Sequence, residues 1–196
     1  FGFYQNVEGK ILFRGENLLE KTIRDIRRIG VSYIPEDRMK TGIAKDVSIW
    51  ENIVSDRIDS KQLKQRAFLS TKKIKKLAKE LIQDFTILCK NEEQPAGMLS
   101  GGNMQKVVVA REFSSQPKLL IANQPTRGID VGANEFIWKK IIEQRDAKKG
   151  ILLISADLNE VLELSDSIIV MCDGEVAAYF ENSSQITEYE LGLYML

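Results

Sequence analysis

The 196-residue sequence has no histidine, only two cysteines and four prolines, and no excess of either charge: 28 Lys and Arg face 28 Asp and Glu. The missing histidine excludes His-ligated metal sites, Ser-His-Asp triads and Cys-His nucleophile pairs. Chemistry here must rest on carboxylates, lysines, hydroxyls or backbone groups. Cys89 and Cys172 lie far apart, with no partners at metal-ligand spacing, so they read as free thiols and not as a disulfide framework. Zero net charge argues against a protein that binds nucleic acid by charge, where a basic excess is expected. No apolar run approaches the roughly 20 residues needed to cross a bilayer, and Phe1 opens no signal peptide. A start at Phe1 in place of Met leads us to expect a piece of a longer protein. What is present, 43% hydrophobic and 29% charged residues, is enough to bury a core.

Hydrophobic periodicity divides the chain. Lys10 to Arg14 and Gly30 to Pro35 read as short strands flanking an amphipathic stretch from Leu18 to Ile29. From Ser48 to about Leu88 the pattern is helical. Ser48 can cap a helix carrying Trp50 and Ile53, with Glu51 at the third position of a capping box. Ser70 opens a second helix, where Ile74, Leu77, Leu81 and Ile82 alternate with lysines that we read as a solvated face. Beyond Gly97 the order is helix (103–113), strand (118–122), helix (133–145), strand (150–155), short helix (158–164) and strand (167–172). A two-residue Asp173-Gly174 turn then predicts a hairpin with residues 175–180. Apolar strands alternating with helices predict an α/β domain with a parallel sheet covered on both faces.

Two blocks carry the chemistry. Leu99-Ser100-Gly101-Gly102-Asn103-Met104-Gln105 opens a helix. Ser100 offers a hydroxyl, the glycines let backbone N–H groups approach a phosphate, and the helix N-terminus favours an anion. Further on, Leu119-Leu120-Ile121-Ala122 is an apolar strand that runs into Asn123-Gln124-Pro125-Thr126-Arg127-Gly128-Ile129-Asp130. Asp130 also sits where an N-cap of the next helix would stand.

Together the blocks resemble the signature motif and the Walker B and D-loop segments of ABC-transporter ATPases. Pro35-Glu36-Asp37-Arg38 after the strand at 30–35, and Ser48 to Asn52, further resemble the second nucleotide-binding half of the tandem ATPases that drive simple-sugar and nucleoside importers. The resemblance runs from about Gly9 to Leu196. It implies a P-loop NTPase-like core over 1–40 and 114–180, an inserted helical subdomain over 41–113 ending in the signature helix, and a C-terminal tail over 181–196. It assigns Leu99, Ser100, Gly101, Gly102, Asn103 and Gln105 to nucleotide binding in trans, and Asp130 to the D-loop.

Departures from the family pattern shape the expectation. No Gly-x-x-x-x-Gly-Lys-Ser/Thr occurs, so the phosphate loop is expected upstream of this sequence. Asn123 stands where the Walker B aspartate belongs and Gln124 where the general-base glutamate belongs. Ala156 takes the switch-histidine position, and Glu36 replaces the glutamine that commonly contacts metal and water. An amide takes no proton from water, and Asn holds Mg²⁺ more weakly than a carboxylate does. We therefore expect no intact catalytic residue and no metal ligand in this segment, with ATP and Mg²⁺ belonging to the full assembly.

The implied partners are the other ATPase half of the same polypeptide, transmembrane permease subunits and, indirectly, a substrate-binding protein, with no nucleic acid. The implied place is the cytoplasmic face of the cell membrane. The Asn123-Gln124-Pro125-Thr126 variant leans towards the nucleoside or lipoprotein-dependent branch. The stretch from Gly42 to Ile53 is expected to form part of a groove for a permease helix, with Ile49, Trp50 and Ile53 as candidate apolar contacts of which at least one belongs to the core. The alternatives are a non-transport ABC protein and a regulatory or dimerisation module without ATP turnover.

Overall fold

A computed structural model describes residues 7–58, 60, 63–65 and 68–195. Three parallel strands form its centre: β3 (Val31–Ile34), β6 (Leu119–Asn123) and β7 (Gly150–Ile154), in the order β3-β6-β7. Register places Ser32, Leu120 and Ile151 in one row and Ile34, Ala122 and Leu153 in another. These rows share a face and make the buried side of the sheet, with Ile34, Leu120 and Ala122 fully inaccessible.

Helix α4 (Gly101–Ser114) lies against this sheet and is buried on nearly every side from Met104 to Phe113. This explains its weak amphipathic signal in the sequence. Its Glu112 is the polar anchor. The carboxylate accepts from Arg27 at 2.9 Å, Arg111 at 2.9 Å and the Tyr33 amide at 3.3 Å. Arg27 comes from α1 (Ile23–Arg28), which packs beside β3. Burial pushes the Glu112 carboxyl up, but Arg111 beside it and the Arg27 hydrogen bond outweigh burial and hold it below the usual carboxylate range.

Helices α2 (Ile49–Val54) and α3 (Thr71–Asp84) pack on α4. Both start as the sequence predicts. Ser48 and Glu51 form the reciprocal capping box, and Ser70 accepts from the Lys73 amide. Ile74, Ala78 and Leu81 face inward on α3 while its lysines face out; Lys75 and Lys79 pair with Glu93 and Glu92. Helix α5 (Val131–Asp146) buries Ala133, Ile137 and Ile141 and completes the main cluster. Helix α6 (Leu158–Leu164) connects β7 to the hairpin of β8 (Ile168–Cys172) and β9 (Glu175–Phe180). The hairpin closes on Asp173 and Gly174, both at positive φ (48° and 84°), as a two-residue turn requires. Helix α7 (Glu188–Leu193) packs near α6, where Leu191 joins Ile168 and Val170 in a second small core.

Several expectations need correction. The second face of the parallel sheet is covered unevenly among the described residues: Val31 on β3 is 1% exposed, whereas Leu152 and Ile154 on β7 remain 49% and 45% exposed. β8 pairs with β9 alone, and the outer edge of β7 has no strand partner among the described residues. Alternation of strands and helices reveals each element but not which strand edges meet. The segment read as helical between Ser48 and Leu88 also holds a small hairpin, β4 (Lys64–Gln65) with β5 (Phe68–Leu69). Minor strands β1 (Leu12–Phe13) and β2 (Glu16–Asn17) form another, of which only Leu12–Phe13 falls in the predicted 10–14 strand. Ile49 and Ile53 are fully buried and are the core members of the Ile49, Trp50 and Ile53 set. Trp50 is half-buried against that core and donates to Glu93 at 3.0 Å.

Candidate functional site

The signature block folds into the start of α4. Leu99 is buried and turns the chain into Ser100, the N-cap. The exposed Ser100 hydroxyl oxygen accepts from the Asn103 amide and from Asn103 Nδ2 at 2.9 Å. Asn103 Oδ1 in turn accepts from the Leu88 amide at 2.8 Å, tying the turn to the end of the α3 segment. Gly101 is half-buried and Gly102 buried. A Cβ on Gly101 would lie 2.9 Å from an Arg38 guanidinium nitrogen; one on Gly102 would lie 2.7 Å from Asp130 Oδ2 and 2.9 Å from Ala133 Cβ. Gly102 is thus required by close approach to α5, while Gly101 faces only the end of the Arg38 side chain. Gln105 turns inward: it is 2% exposed, its Nε2 donates to the Pro125 carbonyl at 2.5 Å, and its Oε1 has no partner. Its side chain ties α4 to the Pro125 turn inside the chain.

The Walker B-like segment leaves β6 beside this turn. Asn123 is half-buried, with Nδ2 3.5 Å from the Tyr33 hydroxyl. Gln124 adopts a left-handed backbone, φ 51°, fixed by its amide donating to the Ile154 carbonyl at 2.7 Å. A non-glycine residue there is uncommon and is held in place by its surroundings. Thr126 donates to the buried Glu160 at 2.6 Å, and Trp138 donates to the same oxygen at 2.9 Å. Asp130 caps α5 by accepting from the Ala133 amide at 2.9 Å, as its position in the sequence suggests. Ala156 follows β7 and precedes Asp157, the N-cap of α6. The structure therefore brings Ser100, Gly101, Gly102 and Asp130 together, and aligns Asn123 and Gln124 with the β7 end that carries Ala156.

Glu36 is exposed and forms an ion pair with Arg127. Next to it, Arg38 donates to the carbonyls of Arg127 at 2.7 Å and Gly128 at 3.0 Å. Sequence reasoning assigned no role to Arg38, Thr126, Glu160 or Glu112. The one available signal was that Arg38 belongs to the quoted Pro35 to Arg38 block. Among the described residues no group of three or more acidic or thiol side chains is placed to hold a metal.

Comparison with known proteins agrees with these motifs. The family profile described as ABC transporter matches residues 1–127. The guanosine import ATP-binding protein NupO of Bacillus subtilis is 42% identical over 194 residues, covering 99% of this chain and 38% of that protein. The nucleoside import ATP-binding protein NupA of Lactococcus lactis is 37% identical, covering 96% and 37%. The ribose import ATP-binding protein RbsA of Oceanobacillus iheyensis is 38% identical, covering 90% and 35%. The chain thus spans between 35% and 38% of the length of these curated relatives. Among solved structures, a nucleotide-free ATP-binding cassette from an ABC transporter superposes with a TM-score of 0.73 at 20% identity, covering all of this chain and 80% of that one. A dimeric cassette in a post-hydrolysis state bound to ADP and Pi gives 0.72 at 22% identity, covering 88% and 72%. The fold is that of an ABC ATPase, a P-loop NTPase-like α/β architecture, and the chain belongs to the ABC-transporter ATP-binding family.

Proposed function

We propose that this chain is the second ATPase half of an importer for simple sugars or nucleosides, that its own Walker residues are hydrolytically degenerate, and that it lends its signature turn to the ATP site of the other half. The contrast between two neighbouring segments carries the reading. The turn at Ser100 and Gly101 keeps a hydroxyl and a bare backbone at a helix N-terminus, whereas β6 ends in the amide of Asn123 and is followed by that of Gln124. A general base must accept a proton from water, and the Gln124 amide has no basic lone pair to do so. Ala156 offers only a methyl group, with no polar atom to orient water or move a proton.

The fit to ATP is split in the same way. Ser100 Oγ and the Gly101 N–H are the kind of donors that suit a phosphate oxygen, and Gly101 has no Cβ to obstruct its approach. Asn123 and Gln124 offer neutral amide oxygens in place of carboxylates, which does not fit Mg²⁺, and no step is assigned to the metal here. Under this reading residues 1–40 and 114–180 act as the ATPase core, 41–113 as the helical subdomain, and 181–196 as a tail. The relatives are named as import ATP-binding proteins for guanosine, nucleosides and ribose, which supports a peripheral subunit working with permease subunits at the cytoplasmic membrane face.

The test uses the full-length protein assembled with its permease. Gly101→Asp keeps the backbone N–H but puts a side chain and a negative charge where a phosphate oxygen would approach, and should lower ATP hydrolysis and transport about 10²–10³-fold, the scale of losing one oxyanion-type contact. Gln124→Ala should leave both within about twofold. The reverse ranking refutes the asymmetric site.

A further inference from the structure

We propose that Arg38 is a positioning residue that clamps the Arg127–Asp130 loop to the N-terminus of α4, so that signature turn and loop move as one body. Its guanidinium spans two consecutive carbonyls, of Arg127 at 2.7 Å and of Gly128 at 3.0 Å. In the opposite direction, the Arg127 guanidinium pairs with Glu36. Two charge-assisted contacts of reversed polarity therefore cross the same gap. The third wall is α4 itself, since a Cβ on Gly101 would lie 2.9 Å from the Arg38 nitrogen that holds Gly128.

The base of the clamp is built to stay put. Arg38 opens a single wide turn, Arg38–Gly42, whose start is fixed by Asp37 accepting from the amides of Met39 and Lys40. Gly42, at the other end, is buried against Val108 of α4: a Cβ there would come within 3.4 Å of the valine side chain. The arrangement is also costly in two ways that pure packing would avoid. Arg38 Nε is buried with no hydrogen-bond partner among the described residues, and the cation lies beside the positive end of a helix. No carboxylate pairs with Arg38 among the described residues. The charge is spent on two loop carbonyls, which is the work of a fork-shaped side chain and not of a lysine.

The activity part of the test rests on the function proposed above, while the exchange part does not. In the full-length protein assembled with its permease, Arg38→Ala should speed amide hydrogen exchange across residues 127–133 about fivefold or more, with the middle of α4 unchanged. ATPase kcat should fall about 10- to 100-fold, as misplacement of a site by an ångström would cause, with KM for ATP within about twofold. Arg38→Lys keeps the charge and should rescue neither readout; it also decides the matter if Arg38→Ala does not fold. Exchange at wild-type rates in the lysine variant, or wild-type kcat in either variant, overturns the clamp. An inactive wild-type complex, or a fully active Gly101→Asp complex, sinks the proposed function instead, and exchange still judges the clamp.

Discussion

Adjacent glycines at the start of α4 should respond differently to the same added methyl group. Gly102→Ala puts a Cβ 2.7 Å from Asp130 Oδ2 and 2.9 Å from Ala133 Cβ. Neither neighbour can yield cheaply. Asp130 is the cap of α5, and Ala133 is a buried residue in that helix's first turn. Overpacking of this kind costs about 1–3 kcal/mol, and losing the Asp130 cap costs about 1 kcal/mol more. The better helix propensity of alanine offsets about 0.5–1 kcal/mol, leaving a net loss of about 2 kcal/mol. Gly101→Ala meets only the end of the Arg38 side chain at 2.9 Å, which can swing aside. Its effect on folding should stay below about 1 kcal/mol, because only the far end of the Arg38 side chain has to give, which disturbs its hold on Gly128 without opening the core. Urea unfolding of the chain, followed by Trp50 and Trp138 fluorescence at low concentration, measures both. Equal losses, or a larger loss for Gly101→Ala, would refute the reasoning.

Two further outcomes follow from the buried polar anchor and the helix start. Glu112→Gln leaves Arg27 and Arg111 without their carboxylate and should cost about 3–5 kcal/mol in urea unfolding at neutral pH. The folded pKa of Glu112 lies below its ordinary value of 4.5. Its contribution is therefore complete above 4.5 and is lost as pH falls through the depressed folded value, so the gap between wild type and variant should close in acid. A gap independent of pH would show that the carboxylate charge is not what Arg27 and Arg111 need. Ser48→Ala removes one side of the capping box at α2 and should cost about 1 kcal/mol; no change in the unfolding midpoint would mean the Glu51 contact alone holds the helix start.

What the sequence made legible is what neighbouring residues decide. Ser48 with Glu51, Ser70 and Asp130 each cap a helix through contacts three residues away, and all three act where the pattern places them. The Asp173-Gly174 turn was legible for the same reason. Contacts across the fold were not. Arg38 meets Gly128, and Thr126 meets Glu160, only because β3, β6 and the segment after β7 end side by side, which no local spacing reveals. Gln105 shows the limit within a motif: resemblance assigned it to a nucleotide, while its position one helical turn inside α4 carries it to the Pro125 carbonyl.

The uncovered strand surface of β7 and of the β8–β9 hairpin has a consequence for handling the molecule. Leu152 and Ile154 on β7, with Ile169 and Met171 on β8 and Val176 and Tyr179 on β9, present oily strand surface to water, each about half or more uncovered. Such strands are templates for adhesion between copies. The chain also carries equal numbers of acidic and basic groups, so near neutrality no net charge keeps copies apart in solution. Colloidal stability of this segment therefore depends on shielding that strand surface, and buffers away from neutral pH, or a covering polypeptide, should keep it dispersed better than added salt.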